Sequence, residues 1–366
     1  MNLLFLNSAG SWGGNEKWVS MAMTALTPAH GVHLAYRGEA VGRHITLPKT
    51  RLPFLAPVDP YTVWRLSKII RDLGISVLIP TKPADIIAAG IAGRLRGVPT
   101  LARLGIVRRL GPYRRFAYET MADAVVVNAG VIKQVLRDGG YARPERIHVI
   151  RNGLDLGALD AARGKPRQPG EAAAGRWTVT CAASMIDRKG FDTLLRGFAH
   201  FQSLTGAPEA RLVLIGDGRR RQALESLARD LRIAASTDFA GYLANPYPRV
   251  AAADVFVLCS HNEGIPNALL EAMYLEKAVI STEVGGVGEF VEHGRNGFLI
   301  RPGDWQGVGQ HLVTLYRNRE LAREMGARAH QTVRDGFSAA RMGRLLEEAC
   351  AALVESSTGR RPAPAR

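Results

Sequence analysis

Two kinds of apolar stretch alternate along the first 160 residues. Short continuous runs read as strands: NLLFLN (2–7), VHLAY (32–36), SVLIP (76–80), PTLARL (99–104), AVVVN (124–128) and IHVI (147–150). Between them lie longer stretches with apolar residues at helical spacing, clearest over 17–26 and 60–72. Strands that are apolar at nearly every position are buried on both faces, which predicts a parallel sheet covered by helices on each side. The periodicity fails over 161–175, AARGKPRQPGEAAAG, a composition that predicts a linker.

A second series then begins. Its strands are WTVTCAAS (177–184), RLVLIG (211–216), STDFAG (236–241), VFVLCS (255–260) and AVIST (278–282), with helices over 190–202, 220–230, 266–275 and 304–316. Residues 337–356 predict an amphipathic terminal helix, and 357–366 a frayed tail. The expected fold class is therefore α/β, with two doubly wound, Rossmann-like domains over 1–160 and 176–336. Such a pair is expected to face a central cleft at the carboxyl ends of its strands, where ligands bind.

Composition narrows the chemistry. Of 366 residues, 46% are hydrophobic and 22% charged, which supports packed cores and excludes wholesale disorder. Cys181, Cys259 and Cys350 are odd in number and far apart, so neither a disulfide framework nor a metal cluster is expected. The N-terminal apolar run is short and lacks a basic flank, so no signal peptide is predicted, and the chain reads as cytoplasmic. The formal net charge is +15, and residues 1–160 hold 21 Lys and Arg against 11 Asp and Glu. The densest patch, RLGIVRRLGPYRR (103–115), has five arginines and no acid. Such a field suits nucleic acid, an anionic membrane or phosphorylated substrates, and equally a solvated basic face. No nucleic-acid recognition motif accompanies it.

Three segments carry candidate chemistry, each following a predicted strand. SHNEGIPNALLEAM (260–273) places Glu263 in a loop and Glu271 in the second turn of a helix opened by Pro266. Backbone N–H groups near Pro266, Asn267 and Ala268 would favour an anion at that helix start. ASMIDRKGFD (183–192) sets Arg188 and Lys189 side by side at a strand-to-helix junction, where they can neutralise a diphosphate. SWGGNE (11–16) supplies Gly13 and Gly14, where a ligand can approach the backbone closely. Each has a plain alternative: a capping acid, a basic surface turn, a tight turn. Gly216 in GDG (216–218) and the GGVGE run at 285–289 are further glycine turns at strand ends.

Together these segments resemble a retaining GT-B glycosyltransferase of family 4, with motifs in the expected order over nearly the whole chain. Ser260, Glu263, Gly264, Asn267, Glu271 and the later Gly285–Gly286 resemble the family's paired-glutamate block and glycine loop. Arg188-Lys189-Gly190 resembles its donor-phosphate segment, Gly13-Gly14-x-Glu16 its N-terminal glycine loop, and Asn152-Gly153-x-Asp155 its inter-domain turn. The resemblance implies a nucleotide-sugar donor in the second domain, an acceptor in the first, and a terminal helix that returns to the first domain.

By that resemblance Glu271 holds the ribose and Glu263 the transferred sugar. Lys189 and Arg188 neutralise the diphosphate, with Gly264, Ile265, Pro266, Asn267, Ala268, Ser184 and Gly216 lining the donor. Tyr242 meets the base, and Gly14 approaches the phosphate. Gly13, Asn15, Lys82 and Arg103 fall to the acceptor. The family's customary acceptor-side histidines are absent, and Lys82 and Arg103 stand in those regions, which implies an anionic acceptor. Neither a metal nor another cofactor is expected. The leading reading is a peripheral enzyme of the cytoplasmic membrane that acts on lipid-linked glycan, with Arg108, Arg109, Arg114 and Arg115 beside Tyr113, Phe116 and Tyr118 as its membrane face. A soluble-acceptor transferase, a nucleotide-sugar epimerase and a non-catalytic scaffold on the same fold stay open.

Overall fold

The computed structural model describes residues 1–56, 58–163 and 176–358. The chain forms two compact units. One runs from Met1 to Gly153 and takes up the chain again from Phe337; the other is Leu154–Gly336.

In the first unit the strands are β1 (Asn2–Asn7), β2 (Gly31–Tyr36), β3 (Lys49–Arg51), β4 (Val77–Pro80), β5 (Leu101–Leu104), β6 (Ala124–Val127) and β7 (Ile147–Val149). They pair in parallel as β3-β2-β1-β4 and β5-β6-β7, and a bridge from Leu78 to Thr100 brings the two sheets side by side. Leu3 to Leu6, Val77 to Ile79 and Val125 to Val127 are buried, so the apolar runs pack on both faces. The terminal helix, Ala339–Thr358, lies in this unit. It puts Met342, Leu346 and Cys350 into one core with Trp18, Ala22 and Met23 of the helix Gly14–Leu26.

The second unit contains β8 (Thr178–Ala182), β9 (Arg211–Ile215), β10 (Thr237–Gly241), β11 (Val255–Leu258), β12 (Ala278–Thr282) and β13 (Phe298–Ile300), all parallel. Their order, β10-β9-β8-β11-β12-β13, is that of a Rossmann sheet. Cys181, Cys259 and Cys350 are buried and unpaired, and burial pushes the Cys181 thiol up to about 12.

Several elements differ from the sequence pattern. The units divide after Gly153, whereas the pattern carried the first domain to 160. Residues 156–163 form a helix of the second unit, Leu156–Arg163, so positions 161–163 of the expected linker are its last turn. Asp160 accepts from the Tyr274 hydroxyl at 2.9 Å and Arg163 pairs with Glu276 at 2.5 Å, which tie that helix down. The rest of the expected linker, 164–175, and most of the expected tail, 359–366, lie outside the described residues. A helix at Arg319–Gly336 and the strands β3 and β13 had no counterpart in the pattern. Among the described residues no helix is long and apolar enough to cross a membrane.

Candidate functional site

In the second unit β8 and β11 are neighbours, while the strands that follow each run to opposite sides. The chain segments that follow β8 and β11 therefore diverge to opposite sides beyond their first loops, which marks the topological switch point where such sheets bind ligands in a crevice. Arg188 and Lys189 lie on the first loop, and Glu263 on the second.

Two glycines let these loops close together. Gly190 has φ +60, and a Cβ there would stand 2.0 Å from the Cys259 carbonyl oxygen. Only glycine tolerates both the left-handed backbone and that approach. The contact seats the β8 loop against the end of β11, where the His261 N–H donates to the Arg188 carbonyl at 2.8 Å. Gly285 also has φ +60, and its Cβ would stand 2.1 Å from the Glu263 carbonyl oxygen. Beside it the Gly286 N–H donates to the Gly264 carbonyl at 2.7 Å, so the loop after β12 supports the Glu263 loop from below.

Held this way, Lys189 Nζ meets Glu263 Oε1 at 2.5 Å, and Arg188 Nη1 reaches the same oxygen at 3.4 Å. Arg188 also donates to the Asn262 carbonyl at 3.3 Å. The Lys189 and Glu263 side chains are 14% and 10% exposed, whereas that of Arg188 is 42% exposed. Two cations thus converge on one carboxylate oxygen in a largely desolvated place, where charge interactions are strong. The helix Asn267–Tyr274 starts just beyond, with Pro266 as its N-cap and no side chain capping it. Its dipole favours negative charge at that end.

Glu271 is buried on the second turn of this helix and accepts from the Tyr247 hydroxyl at 3.3 Å. Burial first, and then the neighbouring carboxylate, push the Tyr247 phenol far up, so it stays a donor. Gly264, Ile265 and Pro266 are buried in the Glu263 loop, and Asn267 and Ala268 are half-buried at the helix start. Ser184 is exposed in the β8 loop, Gly216 is buried at the end of β9, and Tyr242 is exposed just after β10. Tyr247 was not foreseen: an aromatic in the run NPYPR carries no signal of a carboxylate partner twenty-four residues on.

The first unit gathers polar residues at the carboxyl ends of its strands. Glu16, buried on the helix Gly14–Leu26, is the hub. It accepts from Asn7 at 3.1 Å and Asn15 at 3.3 Å, and pairs with Lys82 at 3.3 Å. Asn7 also donates to the Thr81 hydroxyl at 3.0 Å. Gly13 is half-buried and Gly14 exposed at the start of the same helix.

Arg103 is buried and not a surface cation. Its guanidinium lies 4.3 Å from the Trp18 ring centroid and donates to Asn15 at 2.5 Å and Asn152 at 3.5 Å. Burial lowers its pKa to about 10, which leaves it charged at neutral pH. The basic patch is also smaller than the sequence implied, because Tyr118 is buried and its hydroxyl donates to the Arg103 carbonyl at 3.0 Å. Asn7 and Asn128 escaped the sequence reading, and Glu16 and Asn152 entered it only as positions in resembling motifs, without a partner or a role. The asparagines ending NLLFLN and AVVVN were the available signal, since a polar residue closing an apolar strand marks its functional end.

Comparison with known proteins adds three findings. A family model described as Glycosyl transferases group 1 matches residues 163–332, and one described as Glycosyltransferase Family 4 matches 21–158. The lipopolysaccharide core biosynthesis glycosyltransferase LpsE of Rhizobium meliloti is 30% identical over 275 residues, 75% of this chain and 77% of that protein. LpsD of the same organism, described in the same words, is 26% identical over 75% of each chain. Among solved structures, Anabaena Alr3699/HepE in complex with UDP-glucose has a TM-score of 0.84 at 20% identity, covering 96% of this chain and 100% of that one.

Proposed function

We propose, from the premise that this chain belongs to the GT-B glycosyltransferases of family 4, that its second unit binds a nucleoside-diphosphate sugar in the β8/β11 crevice. The sugar then passes, with retained anomeric configuration, to an anionic, lipid-linked glycan of the lipopolysaccharide-core kind held by the first unit. Two relatives described as core-biosynthesis transferases and a neighbour that binds UDP-glucose support the acceptor and donor classes.

The observation that carries this reading is the convergence of Lys189 and Arg188 on Glu263. A diphosphate offers those cations more negative charge and more acceptor oxygens than one carboxylate does. As the glycosidic C–O bond to phosphate breaks, Lys189, Arg188 and the start of the helix Asn267–Tyr274 neutralise the departing oxygen. Released from the cations, Glu263 accepts hydrogen bonds from hydroxyls of the transferred sugar. Glu271, oriented by Tyr247, accepts from the ribose. The acceptor hydroxyl attacks from the face the diphosphate leaves, and its proton passes to the departing phosphate oxygen. This scheme places the leaving charge on fixed protein cations and asks for no metal ion. Peripheral attachment to the cytoplasmic membrane brings the enzyme to a lipid-linked acceptor.

A thermal-shift panel of nucleotide sugars identifies the donor, because the one bound raises the melting temperature. With that donor, nucleoside diphosphate is released only when acceptor is present, and Lys189→Ala and Glu263→Ala lower the release by about 10² or more. Turnover to an epimeric sugar nucleotide without acceptor, or full activity in both variants, overturns the proposal.

A further inference from the structure

Apolar exposure in the described residues is unevenly distributed. Of the eleven large hydrophobic side chains exposed there, four fall within ten residues of the first unit: Leu55 (81%), Val58 (60%), Tyr61 (54%) and Trp64 (57%). Scattered single residues of this kind are ordinary, but a cluster signals a binding surface.

The segment that presents them is built rather than loose. Phe54 sits in the left-handed region at φ 44, an uncommon backbone for a bulky residue, while its ring is buried. Its N–H donates to the Thr62 hydroxyl at 3.2 Å. The buried Asp59 carboxylate accepts from the Leu55 N–H at 3.2 Å, the Tyr61 N–H at 3.1 Å and the Thr62 hydroxyl at 2.6 Å. One capped turn therefore fixes Leu55 on one side and the helix Pro60–Asp72 on the other. Tyr61 and Trp64 stand on the first turns of that helix with ring centroids 6.0 Å apart. Continuing along the same face at helical spacing come the exposed Lys68 and Arg71, the latter paired with the exposed Asp72 at 2.9 Å. The helix's opposite face, Val63, Leu66 and Ile70, is buried in the core.

An apolar tip of Leu, Val, Tyr and Trp that grades into Lys and Arg on one helical face matches a bilayer interface. Trp and Tyr favour the headgroup level, aliphatic side chains enter the acyl boundary, and the cations meet anionic headgroups. The basic continuation and the chain's charge of +15 favour an anionic surface. We propose that Leu55, Val58, Tyr61 and Trp64, with Lys68 and Arg71 behind them, form the surface by which this protein sits on anionic lipid. The proposal relocates the membrane contact from the arginine-rich 103–115 segment to this one. It deepens the lipid-linked reading above and rests on it only for its purpose.

The test uses the full chain with phosphatidylcholine vesicles prepared with and without phosphatidylglycerol, and with no donor or acceptor present. Wild type floats with the anionic vesicles, and brominated lipid quenches its tryptophan fluorescence. Trp64→Phe removes that quenching, because the signal comes from Trp64 and not from Trp12, Trp18, Trp177 or Trp305. The L55S/W64S variant binds at least about tenfold more weakly, since burial of those side chains supplies the interfacial affinity. These side chains lie on the surface, so the variant stays folded and keeps wild-type turnover of a soluble acceptor fragment.

Absence of vesicle binding overturns the proposal. So does unchanged binding by L55S/W64S, or binding lost in R109S/R114S alone. Concentration-dependent dimers that vanish in L55S/W64S assign the patch to a second copy of the chain and equally overturn it. Lys189→Ala floats like wild type, so failure here and failure of the transfer reading are separable.

Discussion

The two units share a sheet type and place polar residues at the same ends of their strands, yet they treat charge in opposite ways. In the second unit, two cations meet one glutamate oxygen, and Arg188 keeps 42% of its side chain exposed. For those cations to serve a phosphate, Lys189 must leave the Glu263 carboxylate and Arg188 both that carboxylate and the Asn262 carbonyl. In the first unit, Arg103 is enclosed by Trp18, Asn15 and Asn152, and Glu16 accepts from Asn7 and Asn15 and pairs with Lys82. That network is largely satisfied internally, so its geometry is set by its own hydrogen bonds and ion pair. Equal formal charges therefore mean different things: exchangeable electrostatics in one unit, a rigid frame in the other.

The largest expected effect tests the exchangeable side. Lys189→Ala removes a fixed cation from the leaving group, and loss of such a transition-state contact lowers turnover by about 10² to 10³. Its melting temperature should move little, because Arg188 still meets the nearly buried Glu263 at 3.4 Å and keeps it paired. Steady-state kinetics and calorimetry on one preparation check both halves. Comparable losses in stability and turnover would show that the pair is structural, and the contrast between the units would collapse.

The rigid frame should answer the other way. Arg103→Ala empties space beside Trp18 and strips a donor from Asn15 and Asn152, which costs about 2–4 kcal/mol of stability. Lysine should not restore it, since an ammonium cannot stack and fork as a guanidinium does. Arg188→Ala, half-exposed and replaceable by water, should cost less than about 1 kcal/mol. Denaturant titration of the three variants ranks them, and equal costs for Arg103→Ala and Arg188→Ala would break the comparison.

These differences explain what the chain made legible. The site of the second unit lies in two short segments, each directly after an apolar strand, so Arg188, Lys189, Glu263 and Glu271 could be named from the sequence. The network of the first unit draws single residues from several strand ends, and no local spacing connects Asn7, Thr81 and Asn152 to Glu16. Fold elements were missed for similar reasons. Strand β3 is Lys-Thr-Arg at a sheet edge and has no apolar signature. The helix Arg319–Gly336 buries Ala322, Gly326 and Ala329 beside Met325, His330 and Val333, a weakly apolar stripe hidden within a strongly charged run. The helix Leu156–Arg163 is alanine-rich, and its last turn merges into a Gly/Pro/Ala segment that reads as a linker.

A third test concerns the frame's own liability. Asp85 is fully buried, with Oδ2 accepting from the Ser8 N–H at 3.1 Å and Oδ1 without a partner. Burial raises its carboxyl from 3.8 to about 6. Between those values the folded protein keeps a proton that the unfolded chain has released, so stability falls as pH rises through that window. Above it the accumulated loss is up to roughly 3 kcal/mol. Asp85→Asn escapes the loss, so its stability relative to wild type should improve as pH rises from about 4 to about 6 and level off above that. A difference that stays flat with pH would mean that the carboxylate is compensated in place.

The smallest effect returns to the second unit, where the Tyr247 hydroxyl donates to Glu271 at 3.3 Å. Tyr247→Phe keeps the ring and removes only the hydroxyl. Glu271 then loses one donor that fixes its orientation, worth about 1 kcal/mol for a hydrogen bond to a charged group that water can partly restore. Because the proposed partner of Glu271 is a ribose, remote from the bond that breaks, the loss should fall on donor KM, several-fold, with kcat nearly unchanged. A fall in kcat at constant KM would move Glu271 from nucleotide recognition to the reacting sugar. Glu263 and Glu271 would then divide the transition state between them, and the second unit would hold a rigid frame of its own.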